Sequence, residues 1–219
     1  MATTAERQAE RASIAEQVAS LREIGERDAT VAQDAAWAWF RRLGDSAARD
    51  REEAASQLAE LFACGRPSAG IDGPTEGILV TPLIEPRVDA VARVLTGAWT
   101  PWLGKRFDAE RARGDNRLAT SARWPMKLIW PRYASRAGAG ERLAFDFETR
   151  VERGGIEPLV DVLVIDYAPI GANPDLIIRS IRDELVEIVP GAHLGRILYR
   201  RREGGYANIG YFALRTAVG

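Results

Sequence analysis

The feature that most constrains the fold is a series of strand patterns in the second half of the chain. Residues 143–152 alternate between apolar and polar side chains, which is typical of an antiparallel strand with one buried face. After a Gly-Gly turn, residues 159–167 are apolar at nearly every position, which predicts a strand covered on both sides. Two further patterns, 193–202 and 206–216, are joined across another Gly-Gly pair as a hairpin. Consecutive antiparallel strands of this kind predict a sheet that closes toward a barrel.

The first 64 residues have a different pattern, which predicts helices. One apolar stripe with spacings of three and four runs through Ile14, Val18, Leu21 and Ile24. Two further helices are predicted, one from an N-cap at Asp28 to near Gly44 and one over about 46–62. We therefore expect a helical segment over 1–64, serving as a cap or for dimerisation, and a barrel-like domain over 65–219.

Another helix is expected just before the last two strands. Pro174 is well placed to begin it, and it would carry one apolar stripe, made of Ile177, Ile181, Leu185 and Ile188. The charged residues of this segment are then predicted to form a solvated face; they are Arg179, Arg182, Asp183, Glu184 and Glu187. The predicted fold class is α+β, an antiparallel β-barrel preceded by a helical segment and with this helix inserted. A two-sheet α+β arrangement is the alternative.

Composition excludes several classes of protein. The 219 residues carry 30 Lys+Arg against 31 Asp+Glu, so no overall basic field is available for nucleic acid. A single cysteine, Cys64, excludes an internal disulfide, and a single histidine, His193, excludes multi-histidine metal sites. The polar amino terminus does not resemble a signal peptide, and no apolar run approaches the length of a spanning helix. We expect a cytoplasmic protein with neither nucleic acid nor a membrane as partner.

Aromatic residues concentrate around a glycine and a lysine in the middle of the chain. The segment 99–108 holds two tryptophans and Lys105, one of only two lysines, a combination that suits the rim of a ligand pocket. Residues 124–133 hold two more tryptophans and predict a short strand with irregular ends. The candidate ligand-binding residues are Trp99, Trp102, Lys105, Phe107, Trp124, Trp130, Phe145, Phe147 and Tyr211. In the alternative interpretation the rings close one end of the core, while Lys105 pairs with Asp108.

The stretch Trp102-Leu-Gly-Lys-Arg-Phe107 resembles the aromatic-x-Gly-Lys-x-Phe segment of GXWXG-type domains, which are small lipocalin-like proteins. The segment 73–77 keeps the outer glycines of the namesake motif but has Thr75 in place of tryptophan. Similar short blocks are scattered over about 58–215. The resemblance implies a lipocalin-like or nitrobindin-like (calycin) barrel with a pocket for a small hydrophobic molecule.

His193 is predicted to point into the barrel. On its strand it shares a face with Tyr199, whereas the opposite face carries three arginines and is the better solvent face. Nitrobindin-like barrels bind haem through a histidine on a late strand, so the resemblance makes His193 a candidate axial ligand. Proton transfer is a second role, and a single hydrogen bond near Pro190-Gly191 is the structural alternative.

Two carboxylates and a tyrosine interrupt the apolar strand 159–167. Asp161 and Asp166 are costly on a buried strand unless each is paired or functional. Ion pairing with one of the many arginines is one explanation. The other is acid–base chemistry by Asp161 or Asp166, with Tyr167, Tyr199 and His193 positioning a carbonyl or hydroxyl group.

These observations support three functional hypotheses. The first is binding of a hydrophobic small molecule in a barrel cavity, without a cofactor. The second is a cofactor-independent isomerase, cyclase or lyase that acts on a lipophilic, natural-product-like metabolite. The third is haem binding through His193. Because the stripe of the first helix is narrow, we also expect residues 1–25 to form an outer helix, with a homodimer contact as its favoured use.

Overall fold

Three helices open the chain, as the apolar stripes predict. The computed structural model describes residues 4–83, 102–175 and 177–217. The helices are α1 (Thr4–Arg27), α2 (Ala29–Ala47) and α3 (Arg51–Ala63). The side chain of Asp28 accepts the backbone N–H of Val31 at 3.1 Å, which confirms the predicted N-cap of α2. Asp50 caps α3 in the same way through Glu53.

Ten strands follow within these residues, together with one short α-helix, α4 (Arg123–Ile129). The strands are β1 (Arg66–Pro67), β2 (Gly73–Pro82), β3 (Trp102–Asp108), β4 (Arg113–Ala119), β5 (Arg136–Ala137), β6 (Glu141–Arg153), β7 (Asp161–Asp166), β8 (Ile181–Val189), β9 (Ala192–Arg200) and β10 (Tyr206–Thr216). The expected short strand at 124–133 is wrong, because most of that segment is α4.

Eight of the strands close a barrel. Their order is β2-β3-β4-β6-β7-β8-β9-β10, and β10 pairs again with β2, every neighbouring pair being antiparallel. The two-residue strands β1 and β5 pair with β8 and β6. The predicted α+β fold, an antiparallel barrel behind an N-terminal helical segment, is therefore confirmed.

The long helix expected from Pro174 to Ile188 is wrong in its extent. Among the described residues between β7 and β8, the only helical element is a 3-10 turn over Ile178–Ser180, and Ile181–Val189 is strand β8. Ile181 and Leu185 are four residues apart, and an even spacing places both on the same face of a strand, just as it places both on one face of a helix. The spacing of Ile181 and Leu185 therefore fits both structures, whereas Ile188, three residues further on, would share their face in a helix but lies on the opposite face of β8.

Apolar side chains cover both surfaces of part of the sheet. Phe147, Leu163, Ile165 and Leu185 point into the barrel and belong to one core cluster. The neighbouring residues of β7 and β8, such as Val164 and Val186, point outward and share a second cluster with the three helices. Ile14, Val18 and Leu21 of α1 are buried in this second cluster, so the stripe that suggested a dimer is covered by the same chain. Dimer formation itself stays a prediction.

A buried ion-pair network fixes β8 and β9 beneath the helices. Glu184 is fully buried and pairs with Arg196 at 2.7 Å and with Arg182 at 2.9 Å. The guanidinium of Arg196 lies 4.3 Å from the ring centre of Phe62 on α3. The sequence predicts that the charged residues of 179–187 and the arginines of β9 face solvent. This prediction is wrong for four of them, which are buried: Arg182, Asp183, Glu184 and Arg196.

No helix in the described parts of the chain combines the length and the hydropathy needed to cross a bilayer.

Gly195 is required by the packing of the interior. A Cβ atom at this position would lie 2.1 Å from Cζ of Phe212, which faces the barrel cavity. We predict that Gly195→Ala lowers the free energy of unfolding by about 1–3 kcal/mol, because Phe212 must shift. Gly171→Ala is the matched control, since only its chain neighbours lie within 4 Å of the added carbon. If urea denaturation shows that both variants lose the same free energy of unfolding, the close packing of Gly195 against Phe212 is contradicted.

Candidate functional site

A cavity of about 50 Å³ lies inside the barrel. It is near the end where β3 and β8 begin and where β2 and β4 end. Most of its wall is apolar, made of Leu79, Leu118, Phe145, Ile178, Ile181, Ile197 and Phe212. The other side chains that line the cavity each carry a nitrogen or oxygen atom; they are Trp102, Lys105, Asn116, Tyr167 and Asp183. An apolar cavity with a few convergent polar groups is the usual form of a small-molecule site.

The polar part is built around a buried ion pair. Nζ of Lys105 on β3 lies 2.9 Å from Oδ2 of Asp183 on β8, and both residues are almost fully buried. The ammonium group also donates to Oδ1 of Asn116 at 3.0 Å and to Oη of Tyr167 at 2.5 Å. These three hydrogen bonds use all the protons of the Lys105 ammonium.

Asn116 and Tyr167 complete the network. The hydroxyl of Tyr167 donates to Oδ2 of Asp183 at 2.9 Å. Nδ2 of Asn116 donates to Oη of Tyr167 at 3.2 Å and to the carbonyl of Phe145 at 3.1 Å. The indole N–H of Trp102 donates to Oδ1 of Asn116 at 3.1 Å. Every side-chain N–H and O–H donor on the cavity wall is therefore engaged.

One acceptor is left over. Oδ1 of Asp183 is buried and has no hydrogen-bond partner among the described residues, whereas Oδ2 of the same carboxyl accepts two hydrogen bonds. A buried carboxylate oxygen without a donor is costly, since it has lost its hydration. The site can therefore accept one more hydrogen bond.

Aromatic rings surround the ammonium group. Nζ of Lys105 lies 5.2–5.8 Å from the ring centres of Trp102, Phe147, Tyr167 and Phe212. The faces of such rings attract a cation and also exclude water. The charge of Lys105 is thus held by one carboxylate and four rings in a largely apolar interior.

Burial changes the proton affinity of two members of the network. It lowers the pKa of Lys105, and the nearby Asp183 carboxylate acts against this shift. Burial, followed by the charge of Asp183, raises the pKa of Tyr167 well above its usual value. Tyr167 is therefore a neutral hydrogen-bond donor throughout the physiological range.

The backbone of β6 is distorted to serve this network. Phe145 has a φ of 52°, a left-handed conformation that is uncommon for residues other than glycine. The register between β4 and β6 shifts at this point, between Gly114 and Asn116. The distortion presents the Phe145 carbonyl to Asn116, and the Phe145 N–H donates to Oη of Tyr133 at 2.5 Å.

The structure brings several of the predicted ligand-binding residues together. Trp102, Lys105 and Phe145 line the cavity, and Phe107, Phe147 and Trp130 belong to the interior cluster beside it. Trp124 is exposed on α4, and Tyr211 is buried on the helix side of the barrel. Trp99 lies outside the described residues. The alternative pairing of Lys105 with Asp108 is not found, because Asp108 pairs with Arg111 at 2.7 Å.

Of the predicted catalytic residues, only Tyr167 lines the cavity. Asp161 is exposed and lies 3.3 Å from Arg153, while Asp166 pairs with Arg150 at 3.0 Å. Both carboxylates therefore have the arginine partners that the structural alternative predicted. Tyr199 packs against the interior cluster without reaching the cavity.

His193 is buried away from the cavity. Its Nδ1 atom shares a hydrogen bond of 2.8 Å with Oγ of Ser68. Burial lowers the pKa of the imidazole to about 4. His193 is therefore a neutral histidine with a single hydrogen bond, which is the non-functional role that the sequence allows for it. The partner is Ser68 rather than a group near Pro190-Gly191.

Asp183 and Asn116 are the residues that the sequence analysis missed. The helix predicted for this segment puts Asp183 on a solvated face, and the candidate residues from the sequence do not include Asn116. A strand interpretation of 181–189 would have put Asp183 between Ile181 and Leu185 on a buried face. No comparable pattern in the sequence marks Asn116.

Comparisons with known proteins give no family for this chain. No family model matches it, and neither the curated proteins nor the solved structures include a significant match. The closed antiparallel barrel of eight strands is compatible with a lipocalin-like fold. Membership of the GXWXG-type family remains a hypothesis from the short blocks of resemblance.

We predict that the ion pair inside the barrel is strongly coupled. Lys105→Met or Asp183→Leu alone should lower the free energy of unfolding by about 3–5 kcal/mol, because each leaves an unpaired buried charge. The double variant should lose clearly less than the sum of the two. Asp161→Asn, which removes a pair on the surface, should cost less than about 1 kcal/mol. Additive single effects in a double-mutant cycle would contradict the coupling.

His193 gives the fold a predictable pH dependence. Its pKa is about 4 in the folded protein and about 6.5 when unfolded, so the unfolded chain binds more protons between these values. Stability should therefore fall as the pH drops from about 6.5 to 4, by up to about 3 kcal/mol from this group. In His193→Gln this contribution should disappear. If the free energy of unfolding changes with pH in the same way for both proteins between pH 8 and 4, this contribution of His193 is excluded.

Proposed function

We propose that the barrel binds a small, mostly apolar molecule that carries a hydroxyl or another hydrogen-bond donor. The observation that carries this proposal is that Asp183, a residue lining a largely apolar cavity, has a buried Oδ1 atom without a hydrogen-bond partner among the described residues. A ligand hydroxyl that donates to this oxygen would satisfy the last open acceptor of the network. Hydrogen bonds to charged groups are among the strongest in proteins, at about 1.5–3 kcal/mol.

The apolar wall selects the body of the ligand. Aliphatic side chains and the rings of Phe145 and Phe212 offer contact area but no further polar partner. The cavity of about 50 Å³ is smaller than the roughly 150 Å³ that accommodates benzene in an engineered protein cavity. A ligand of even one ring therefore requires the side chains of the wall to move, and the ligand should be small.

The network also disfavours an important ligand class. All three protons of Lys105 are used inside the network, and so are the donors of Asn116, Tyr167 and Trp102. A fatty acid anion would bring a carboxylate toward Asp183 without a free donor to receive it. We therefore expect alcohols and phenols, and not carboxylic acids, to occupy the cavity.

Because the hydrogen-bond donors that line the cavity are all engaged in the network, binding is favoured over catalysis. An isomerase of the kind considered from the sequence removes a proton from carbon and must stabilise the oxyanion that forms. Asp183 could receive such a proton, but each donor that lines the cavity already has a partner. Binding needs only the acceptor that the site offers.

Phenol, anisole and toluene form a series that tests the proposal, because they are similar in size and only phenol carries a hydrogen-bond donor. Phenol should bind roughly tenfold more tightly than anisole, since only phenol can donate to Asp183. Isothermal titration calorimetry would give the affinities. Asp183→Asn should remove most of the difference between the two ligands. Asp166→Asn should leave the difference in affinity unchanged, because the Asp166 carboxylate pairs with Arg150 outside the cavity.

A second variant separates the cavity from the polar group. Leu79→Trp should fill the cavity while leaving the Asp183 carboxylate and its ion pair in the protein, and should abolish binding of all three compounds. If Leu79→Trp binds phenol like the unmodified protein, the compounds bind elsewhere and the proposed site is wrong. If anisole binds as tightly as phenol, the role of Asp183 is wrong.

A further inference from the structure

Helix α4 presents two large apolar side chains to solvent. Trp124 is 79% exposed and Leu128 is 85% exposed. They are four residues apart, so they lie on the same face of the helix. An exposed apolar pair with this geometry on a short helix suggests a binding surface rather than scattered surface residues.

The opposite face of α4 packs on the interior cluster of the barrel. Met126 on α4 and Trp130 just after it are buried in the interior cluster. The ring of Trp130 lies 5.2 Å from that of Phe145, edge to face, and Phe145 lines the cavity. The exposed pair therefore lies on the outer side of an element whose inner side packs on the interior cluster next to the cavity.

The surroundings of the pair are positively charged. Residues 120–140 contain Arg123, Lys127, Arg132 and Arg136 and no acidic residue, although the whole chain has a net charge of −1. Arg136 pairs with Asp115 and Asp146. The other three cations are exposed and form no ion pair within the parts of the chain that the structure describes.

We propose that α4 docks on the surface of an anionic phospholipid bilayer, with Trp124 and Leu128 inserted at the headgroup level. Tryptophan and leucine beside basic residues are characteristic of segments that lie in the membrane interface. Arg123, Lys127 and Arg132 pair with lipid phosphates. This revises the expectation of no membrane partner, which rested on the absence of an apolar run long enough to span a bilayer. It does not depend on what the cavity binds.

Charge also distinguishes the bilayer from a second copy of the chain. Two copies that met through α4 would bring their basic segments together without an acidic counterpart. An anionic bilayer supplies negative charge and an apolar layer at the same surface.

Co-sedimentation of the full chain with lipid vesicles tests the proposal. At low salt the protein should bind vesicles of phosphatidylcholine mixed with phosphatidylserine at least roughly tenfold more tightly than vesicles of phosphatidylcholine alone. Trp124→Ser/Leu128→Ser should weaken the binding by a similar factor, and so should Arg123→Gln/Lys127→Gln/Arg132→Gln. Leu159→Ser is the matched control, because Leu159 is 94% exposed in the β6–β7 connection, away from α4.

Lipids with brominated acyl chains locate the inserted residue. They should quench more tryptophan fluorescence in the unmodified protein than in Trp124→Phe, because Trp124 is the side chain placed to enter the bilayer. Binding that is equal on both vesicle types, unaffected by the double serine variant, or absent at low salt would overturn the proposal. A dimer that is lost in the double serine variant, without any vesicle binding, would instead identify α4 as a self-association surface.

Discussion

The ion pair between Lys105 and Asp183 determines much of what the barrel interior must contain. Moving two charges out of water costs several kcal/mol for each, so the ammonium group needs a full set of acceptors close by. Asn116 and Tyr167 supply them. Asn116 in turn is held by the carbonyl of Phe145, which reaches it through a left-handed backbone conformation. The strain in β6 is therefore part of the site, as is usual where a constellation of polar groups is held in place.

Strand β8 connects this site to the helical layer. Its inward face carries Asp183, and its outward face carries Glu184, which binds Arg182 and Arg196 beneath α3. Both faces of the strand are thus buried, and both carry a buried carboxylate that forms an ion pair. The helices are needed for this arrangement, because without them Glu184 and the outward valines of β7 and β8 would lose their cover. Loss of α3 should therefore disturb the cavity through β8.

The sequence predicts the strands whose two faces differ or whose ends carry glycine turns. The alternation in β6 and the hairpin of β9 and β10 were found in this way, as were the helices with clear stripes and an Asp28 cap. It does not predict β8, since a strand buried on both faces has no alternation and the charges of this segment are typical of a solvent face. Lys105 and Trp102 stood out by composition. Asp183 could not be assigned until the pairing of β3, β4, β7 and β8 was known, because the site joins residues that are far apart in the chain.

The proposed function requires that Oδ1 of Asp183 receives a hydrogen bond from a bound molecule. A crystal structure of the protein with phenol tests this most directly. We expect a ring inside the barrel, in contact with Phe145 and Phe212, with its oxygen about 2.5–3.0 Å from Oδ1 of Asp183. A ring bound in the same cavity with its oxygen turned away from Asp183, or bound only outside the barrel, would contradict it.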